Sequence, residues 1–456
     1  MDLDVGKRRR KRLMNSEGRG NRCFDEQPSA STAAGPVISR LSFPICELPV
    51  HILCDVFSRL PLKSIFQCRC VCKMFLDLLK DPYFIELHFA RSSTLTTYLF
   101  LCENMRTRAI LHFLTFDHDE VGISLCSSDD QSFNHDFCSR PHIACQISAQ
   151  SGQHIQRLDF VGSCNGLLCL FIESPPKPFY AICNPICCEM IKLPSLVVSA
   201  PLYSYAYNSG FGYCRKTKKY KVISFMSLTS IDPVTSAESK RMVANIHTLG
   251  VDSWRRVENA PRPKHKSFDP LLNGVLHWIT DGYKPCELVS SFDLATETFK
   301  FVPPPAHFSL QYVNRISWIN IGILKDCLCI CYIYEDADFE VWLMREYGVK
   351  ESWIRHVSID MKFYINLQVQ DLQRPIKFLN NGDLWFISSS EFLVSFSPTK
   401  KTFRELRAMG RSMREVTVHD FSFISLEDAV GVKCPKLMRM KLQNVKTLKR
   451  NVFLLV

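Results

Sequence analysis

Gly162-Ser163-Cys164-Asn165-Gly166 carries residue types at a spacing that suggests covalent chemistry. Small residues around a central thiol are what a nucleophile elbow uses, because a sharp strand-to-helix turn must push the sulfur out in front of the backbone. The turn here is followed by Leu167-Leu168-Cys169-Leu170-Phe171-Ile172, whose content is that of a strand. The related segments Leu272-Asn273-Gly274 and Asn380-Asn381-Gly382 have no nucleophile at all. A hairpin is expected there, and no catalytic residue. The chain has 21 cysteines, an odd number that argues against a fully paired secreted framework. No Cys-x-x-Cys occurs, although structural zinc sites usually supply such knuckles in pairs. Cys327, Cys329 and Cys331 alternate along one face of an expected strand and read as small core hydrophobes. Phosphate-cradling glycine motifs and His-Glu-x-x-His are missing as well, so no metal and no cofactor are expected.

The elements that carry these residues are short β runs between turns. Asn165-Gly166, Asn273-Gly274 and Asn381-Gly382 each precede an apolar run, and the asparagines are 108 residues apart. Asn-Gly is a strong hairpin signal because both positions tolerate positive φ. Interleaved with them are LGVDSWRRV at 249–257 and YGVKESWIRHV at 347–357, which place Trp254 and Trp353 in equivalent positions. Trp278 and Trp385 match within the other class, so all four read as packing aromatics. A double period of 108 gives units of about 54 residues, close to the roughly 50 of kelch-type propeller blades.

Before this body lies a different texture. After Pro49, the apolar residues Ile52, Leu53, Val56, Phe57 and Leu60 recur at helical spacing, with Pro49 suited to a first helical position. Pro61 stops that helix, and Leu62, Ile65 and Phe66 begin a second. Val71, Phe75, Leu78 and Leu79 form the stripe of a third that ends before Asp81-Pro82. Three small helices hold more apolar surface than they can bury among themselves, so a partner is implied.

Leu48-Pro49, Leu60-Pro61 with Lys63-Ser64, Cys70-Val71-Cys72-Lys73, and Asp81-Pro82 with Phe84 and His88 resemble the F-box in order and spacing. The resemblance implies docking on a Skp-type adaptor, and through it on cullin and RING subunits that recruit a ubiquitin-conjugating enzyme. It assigns Leu48, Pro49, Ile52, Leu53, Val56, Phe57, Leu60, Pro61, Val71, Cys72 and Phe75 to the adaptor-facing or motif-core set. Phe75 stands where the family usually has Trp, and His51 where an acidic residue is common. Losing the indole N–H is expected to weaken docking. VGSCNGLLCLF, NPICCEMIKLPS, GFGYCRKTKKYKVI, LGVDSWRRV, NGVLHWI and SFDLATETFKFVPPP resemble the F-box-associated interaction domain of plant F-box proteins. That domain is kelch-related and is taken to receive the target protein.

The expected architecture is α+β and multidomain. It comprises a disordered basic arm at 1–42, a three-helix F-box at 43–92, a mainly β, propeller-like body at 93–430, and a basic tail at 431–456. The body has room for six blades, with seven as the alternative. The net charge of +11 belongs to the ends: residues 1–22 carry +5, residues 433–456 carry +7, and the body between them −1. Lys7 to Arg12 are six consecutive basic residues with no apolar run after them. This cluster reads either as a solvated arm or as a nuclear import signal, giving an expected location in nucleus and cytoplasm. The tail interleaves Leu437, Met438, Met440, Leu442, Val445 and Leu448 with Lys and Arg. A frayed or folded-back segment is expected there ahead of a basic amphipathic helix. No apolar run approaches the roughly 18 to 20 residues that span a bilayer.

The expected function is a non-catalytic substrate-recognition subunit of a cullin-RING ubiquitin ligase, with an unknown target. Two alternatives differ in class: an F-box scaffold that delivers no substrate, and a nuclear nucleic-acid-binding protein. The neutral body and the missing recognition helix speak against the second.

Overall fold

The computed structural model describes residues 45–95, 97–105, 108–116, 143–148, 155–196, 205–231, 238–264, 266–267, 270–281, 284–335, 338–360, 372–378, 382–388, 393–406, 416–431 and 437–444. The chain divides into two compact units, residues 1–48 and 49–456. The basic cluster at Lys7 to Arg12 lies outside the described residues.

The second unit opens with α1 (Val50–Phe57), α2 (Leu62–Cys68), α3 (Lys73–Leu78) and α4 (Pro82–Leu95). Pro49 and Pro61 precede α1 and α2 instead of occupying their first turns, with ψ at 142° and 144°. Their carbonyls accept the first helical bonds, from Ile52 and Leu53 N–H and from Ser64 and Ile65 N–H. The three-helix expectation is corrected to four, because Asp81-Pro82 starts a helix instead of only ending one. Proline suits a first helical position, where its missing N–H costs nothing. The Asp81 carboxylate accepts the Tyr83 N–H at 2.8 Å. Val71, expected in the stripe of the third helix, sits in the turn between α2 and α3.

The strands then follow in order. They are β1 (Thr97–Met105), β2 (Arg108–Phe116), β3 (Ile143–Ser148), β4 (Arg157–Cys164), β5 (Leu167–Glu173), β6 (Phe179–Asn184), β7 (Glu189–Lys192), β8 (Tyr205–Cys214), β9 (Lys219–Ile231), β10 (Glu238–Thr248) and β11 (Arg255–Val257). Next come β12 (Leu271–Leu272), β13 (Val275–Ile279), β14 (Val289–Asp293) and β15 (Thr298–Val302), then the short α5 (Leu310–Val313). After it run β16 (Ile316–Leu324), β17 (Cys327–Tyr334), β18 (Asp338–Met344), β19 (Trp353–Asp360), β20 (Leu372–Phe378), β21 (Leu384–Ser388), β22 (Leu393–Ser397) and β23 (Thr402–Leu406). The last elements are β24 (Val416–Val418), α6 (Leu426–Val430), β25 (Leu437–Arg439) and β26 (Lys441–Asn444).

The described strands form six antiparallel sheets. Four are meanders of consecutive strands, β8 to β11, β12 to β15, β16 to β19 and β20 to β23. The other two are completed from the far end of the chain, in the orders β24-β1-β2-β3-β26 and β25-β7-β6-β5-β4. Neighbouring sheets touch through β4, β8, β13, β16, β20 and β24 in turn, and β24 touches β4, so the ring closes. Residues 437–444, expected as part of a basic tail, are therefore outer strands on two sheets, and β24 supplies an inner one. The body is mainly β and propeller-like.

Turn chemistry explains the meanders. Asn165 and Gly166 have φ of 49° and 80°, and Asn273 and Gly274 have 50° and 81°, the left-handed pair a two-residue hairpin needs. Gly382 repeats this at 87°, while Asn381 lies outside the described residues. At the third turn of the same sheets, Asn184 accepts N–H bonds from Ile186 and Cys187, and Asp293 does so from Ala295 and Thr296. Between sheets both faces are buried. Leu328, Ile330 and Tyr332 of β17 pack toward the sheet β12 to β15, and Cys329, Cys331 and Ile333 pack toward the sheet β20 to β23. The cysteines of this strand are thus core residues.

Trp254 and Trp353 also carry a link that sequence reading missed. The Trp254 indole N–H donates to the Pro194 carbonyl at 2.7 Å, and the Trp353 N–H donates to the Pro303 carbonyl at 2.9 Å. Each ties one sheet to the residues just past the last strand of the sheet before it. The matched Pro194 and Pro303 were the available signal.

Candidate docking surface

The expected adaptor-facing residues separate into two groups. Leu53 and Phe57 on α1 are 1% and 2% exposed, and Phe75 on α3 is buried with its ring 4.8 Å from that of Phe57. Leu60 and Cys72 are half-buried against the same core. Ile52 and Val56, one turn apart on α1, are 41% and 40% exposed, and Val50 and Val71 reach 56% and 68%. Pro49 and Pro61 are exposed too, as is Leu48 in the preceding unit. Helical spacing sets Ile52 with Val56 on one stripe and Leu53 with Phe57 on the next, but it does not say which stripe is covered. The division depends on what covers the other side.

That cover is the ring. Leu53, Phe57, Ile65, Phe75 and Phe84 share one core with Leu158 of β4, with Leu168, Leu170 and Ile172 of β5, and with Phe421 and Phe423 after β24. The Phe423 ring lies 6.3 Å from Phe66, 5.7 Å from Phe84 and 5.1 Å edge-on from His88. Burial pushes the His88 imidazole down to about 4, so it is neutral at pH 7. Its Nδ1 has no hydrogen-bond partner among the described residues. Within the helices, Arg91 of α4 grips α1 by donating to the Asp55 carboxylate at 2.6 Å, to the Asp55 carbonyl at 3.0 Å, and to the Ser58 hydroxyl. Asp55 is held below the usual carboxylate range, first by Arg59 and then by Arg91. Phe423 and Phe421 lie outside any motif quoted for the helical segment, so only a fold could reveal their role.

What remains outside is an apolar face on rigidly mounted helices. Burying a Val or Ile side chain yields about 1.5 to 3 kcal/mol, so four such residues suffice to drive association. This face can bind a complementary protein surface but can perform no chemistry.

The elbow-like segment is a hairpin between β4 and β5, which excludes the strand–turn–helix geometry of a nucleophile elbow. The Ser163 hydroxyl lies 2.8 Å from Nδ1 of His419. Burial pushes the His419 ring down to about 3, which makes it a poor proton acceptor at neutral pH and leaves it a positioning contact.

Residues 45–87 match the F-box domain family, and residues 96–422 match the F-box associated beta propeller domain family. The chain is 28% identical over 392 residues to F-box protein At3g07870 of Arabidopsis thaliana, covering 79% of this chain and 87% of that one. It is 27% identical over 374 residues to F-box protein CPR1 of the same plant, covering 75% and 82%. A helical segment with an apolar face outward, set on a propeller-like ring whose sequence matches over most of its length, makes this chain a plant F-box protein of the F-box-associated β-propeller family.

Proposed function

We propose that the protein is the substrate-recognition subunit of an SCF-type cullin-RING ubiquitin ligase. The observation that carries this is the exposure of Ile52 and Val56, one turn apart on α1, with Val50 at its start and Val71 in the turn before α3, on a helical segment whose other side packs on the ring. That face docks the Skp-type adaptor, with Leu48, Pro49 and Pro61 as further contacts, and cullin and RING subunits follow through the adaptor. Leu53, Phe57 and Phe75 support the surface from within. The turns of the sheets hold the target. No residue is catalytic: a target lysine is kept at high effective concentration near a charged conjugating enzyme.

The test is Ile52→Asp with Val56→Asp in the full chain. Both residues are substantially exposed, so the fold should survive while adaptor affinity falls by at least about 100-fold, equivalent to about 2.7 kcal/mol. Unchanged co-purification with the adaptor would end this reading. A location in nucleus and cytoplasm belongs to the same proposal, and neutralising Lys7 to Arg12 should shift a tagged protein out of the nucleus.

A further inference from the structure

The turn between β8 and β9 carries three cations that the fold does not use. Arg215, Lys216 and Lys218 are exposed, and among the described residues none of their side chains makes a hydrogen bond or an ion pair. The turn is held by other groups. Cys214, 1% exposed, accepts the Thr217 N–H on its sulfur at 3.5 Å, and Lys218 lies in the left-handed region with φ of 52°.

Three further sheets build this turn from different residues. Cys214 pairs with Lys219 across it, as Asn184 pairs with Glu189, Asp293 with Thr298 and Ser397 with Thr402. Cys188, Glu297 and Lys401 stand where Lys218 does, with φ of 57°, 56° and 51°. Pro185-Ile186, Leu294-Ala295 and Pro398-Thr399 replace Arg215-Lys216, and Cys188 replaces Lys218 without a charge. The backbone therefore requires none of the three cations.

The groups around the hairpin do not neutralise them. Lys219 donates to the Val430 carbonyl at 2.9 Å, and buried Lys221 donates to the Glu297 carboxylate at 2.8 Å. Glu297 also pairs with Arg255, so this carboxylate already serves two cations. Of the other acids on segments beside the hairpin, Asp252 is exposed in the β10–β11 turn, and Glu427 and Asp428 open α6. Asp293 accepts N–H bonds from Ala295 and Thr296 within its own turn.

We propose that Arg215, Lys216 and Lys218 form a contact surface for an acidic segment of the target protein. This rests on the receptor reading above. Exposed charges of this kind set encounter rate and partner choice more than affinity. A short run of Asp or Glu matches three cations within one turn, whereas a nucleic-acid site commonly engages about six to ten phosphates. Lys219 and Lys221 are turned to protein partners, so the basic track ends at the turn.

The test follows the Thr217 amide in the full chain with isotope-labelled threonine, its signal being identified by its loss in Thr217→Ser. This local reporter is independent of the basic residues at the two ends of the chain. Capped hexaglutamate should shift the signal saturably, and capped hexaglutamine at equal ionic strength should not. Arg215→Gln with Lys216→Gln and Lys218→Asn, the last chosen because Asn tolerates positive φ, should weaken the response at least about tenfold. No shift with hexaglutamate, or an undiminished response in the triple variant, would overturn the surface. An equal response to an oligothymidylate of the same charge would overturn the assignment to a protein segment. None of these readouts depends on adaptor docking, so failure here and failure of the receptor reading are distinguishable.

Discussion

The helical segment and the ring treat the same residue types in opposite ways. On α1 the apolar residues alternate between full burial, as for Leu53 and Phe57, and broad exposure, as for Ile52 and Val56. On β17 the run from Leu328 to Ile333 has both faces buried, because a strand between two sheets has no outer side. A helix packed along one stripe keeps its other stripe free for a partner, whereas a sheet between sheets spends all of its apolar surface internally. What the ring offers at its surface is therefore turns and strand edges, whereas the helices offer apolar side chains.

This contrast depends on the helices leaning on the ring, and the strongest way to break it is at the seam. Phe423→Ala should destabilise the whole chain by about 3 to 5 kcal/mol, as truncation of a buried aromatic does. It should also weaken adaptor binding, although Phe423 is far from the exposed stripe in sequence. Chemical denaturation read alongside adaptor binding checks this, and unchanged stability would mean that the helices stand alone.

Acid should act on the same seam with a somewhat smaller effect. Folding lowers the His88 proton affinity to about 4, against an ordinary value of 6.5, so the unfolded chain takes up the proton first. Stability from this group is full above about pH 6.5 and is lost as pH falls toward 4, by at most about 1.4 kcal/mol per pH unit. His277, buried and lowered to about 4, adds to the same trend from within the ring. His88→Phe should flatten the profile measured between pH 7 and 4. A profile as steep as the parent's would place the acid sensitivity elsewhere.

Phe75→Trp sharpens the comparison within the helices. The family resemblance suggests that the indole would restore docking, but Phe75 is buried against Phe57, and a larger ring must displace its neighbours. Destabilisation of about 1 to 3 kcal/mol is expected, visible as a lower melting temperature. The smallest effect belongs to the ring. Trp254→Phe keeps most of the aromatic area but removes the donor to Pro194, costing about 1 kcal/mol by denaturant titration.

Much of this was legible from local chemistry. Asn165-Gly166 and Asn273-Gly274 announced hairpins because few dipeptides accept two positive φ angles, and alternation placed Cys329 and Cys331 in a core. Local signals failed where one residue serves two purposes, as Pro82 does in ending one helix and starting the next. They failed more completely for β24, β25 and β26. The pairing of Leu437 with Ile191, or of Leu442 with Cys145, spans more of the chain than any periodicity can report. The expected adaptor-facing residues were read as one set, and their division into buried and exposed members needed the ring.

Closure of the ring by its last strands has a consequence for synthesis. Translation at about 5 to 20 residues per second separates the emergence of Phe84 from that of Phe421 by roughly 20 s to a minute. During that interval the helices present their exposed stripe and also the stripe meant for Phe421 and Phe423. A nascent chain is therefore stickier than the finished protein, and early contact with a chaperone would shelter it. A chain stopped before Phe421 would never bury that second stripe, and its persistent exposure would mark the fragment for removal.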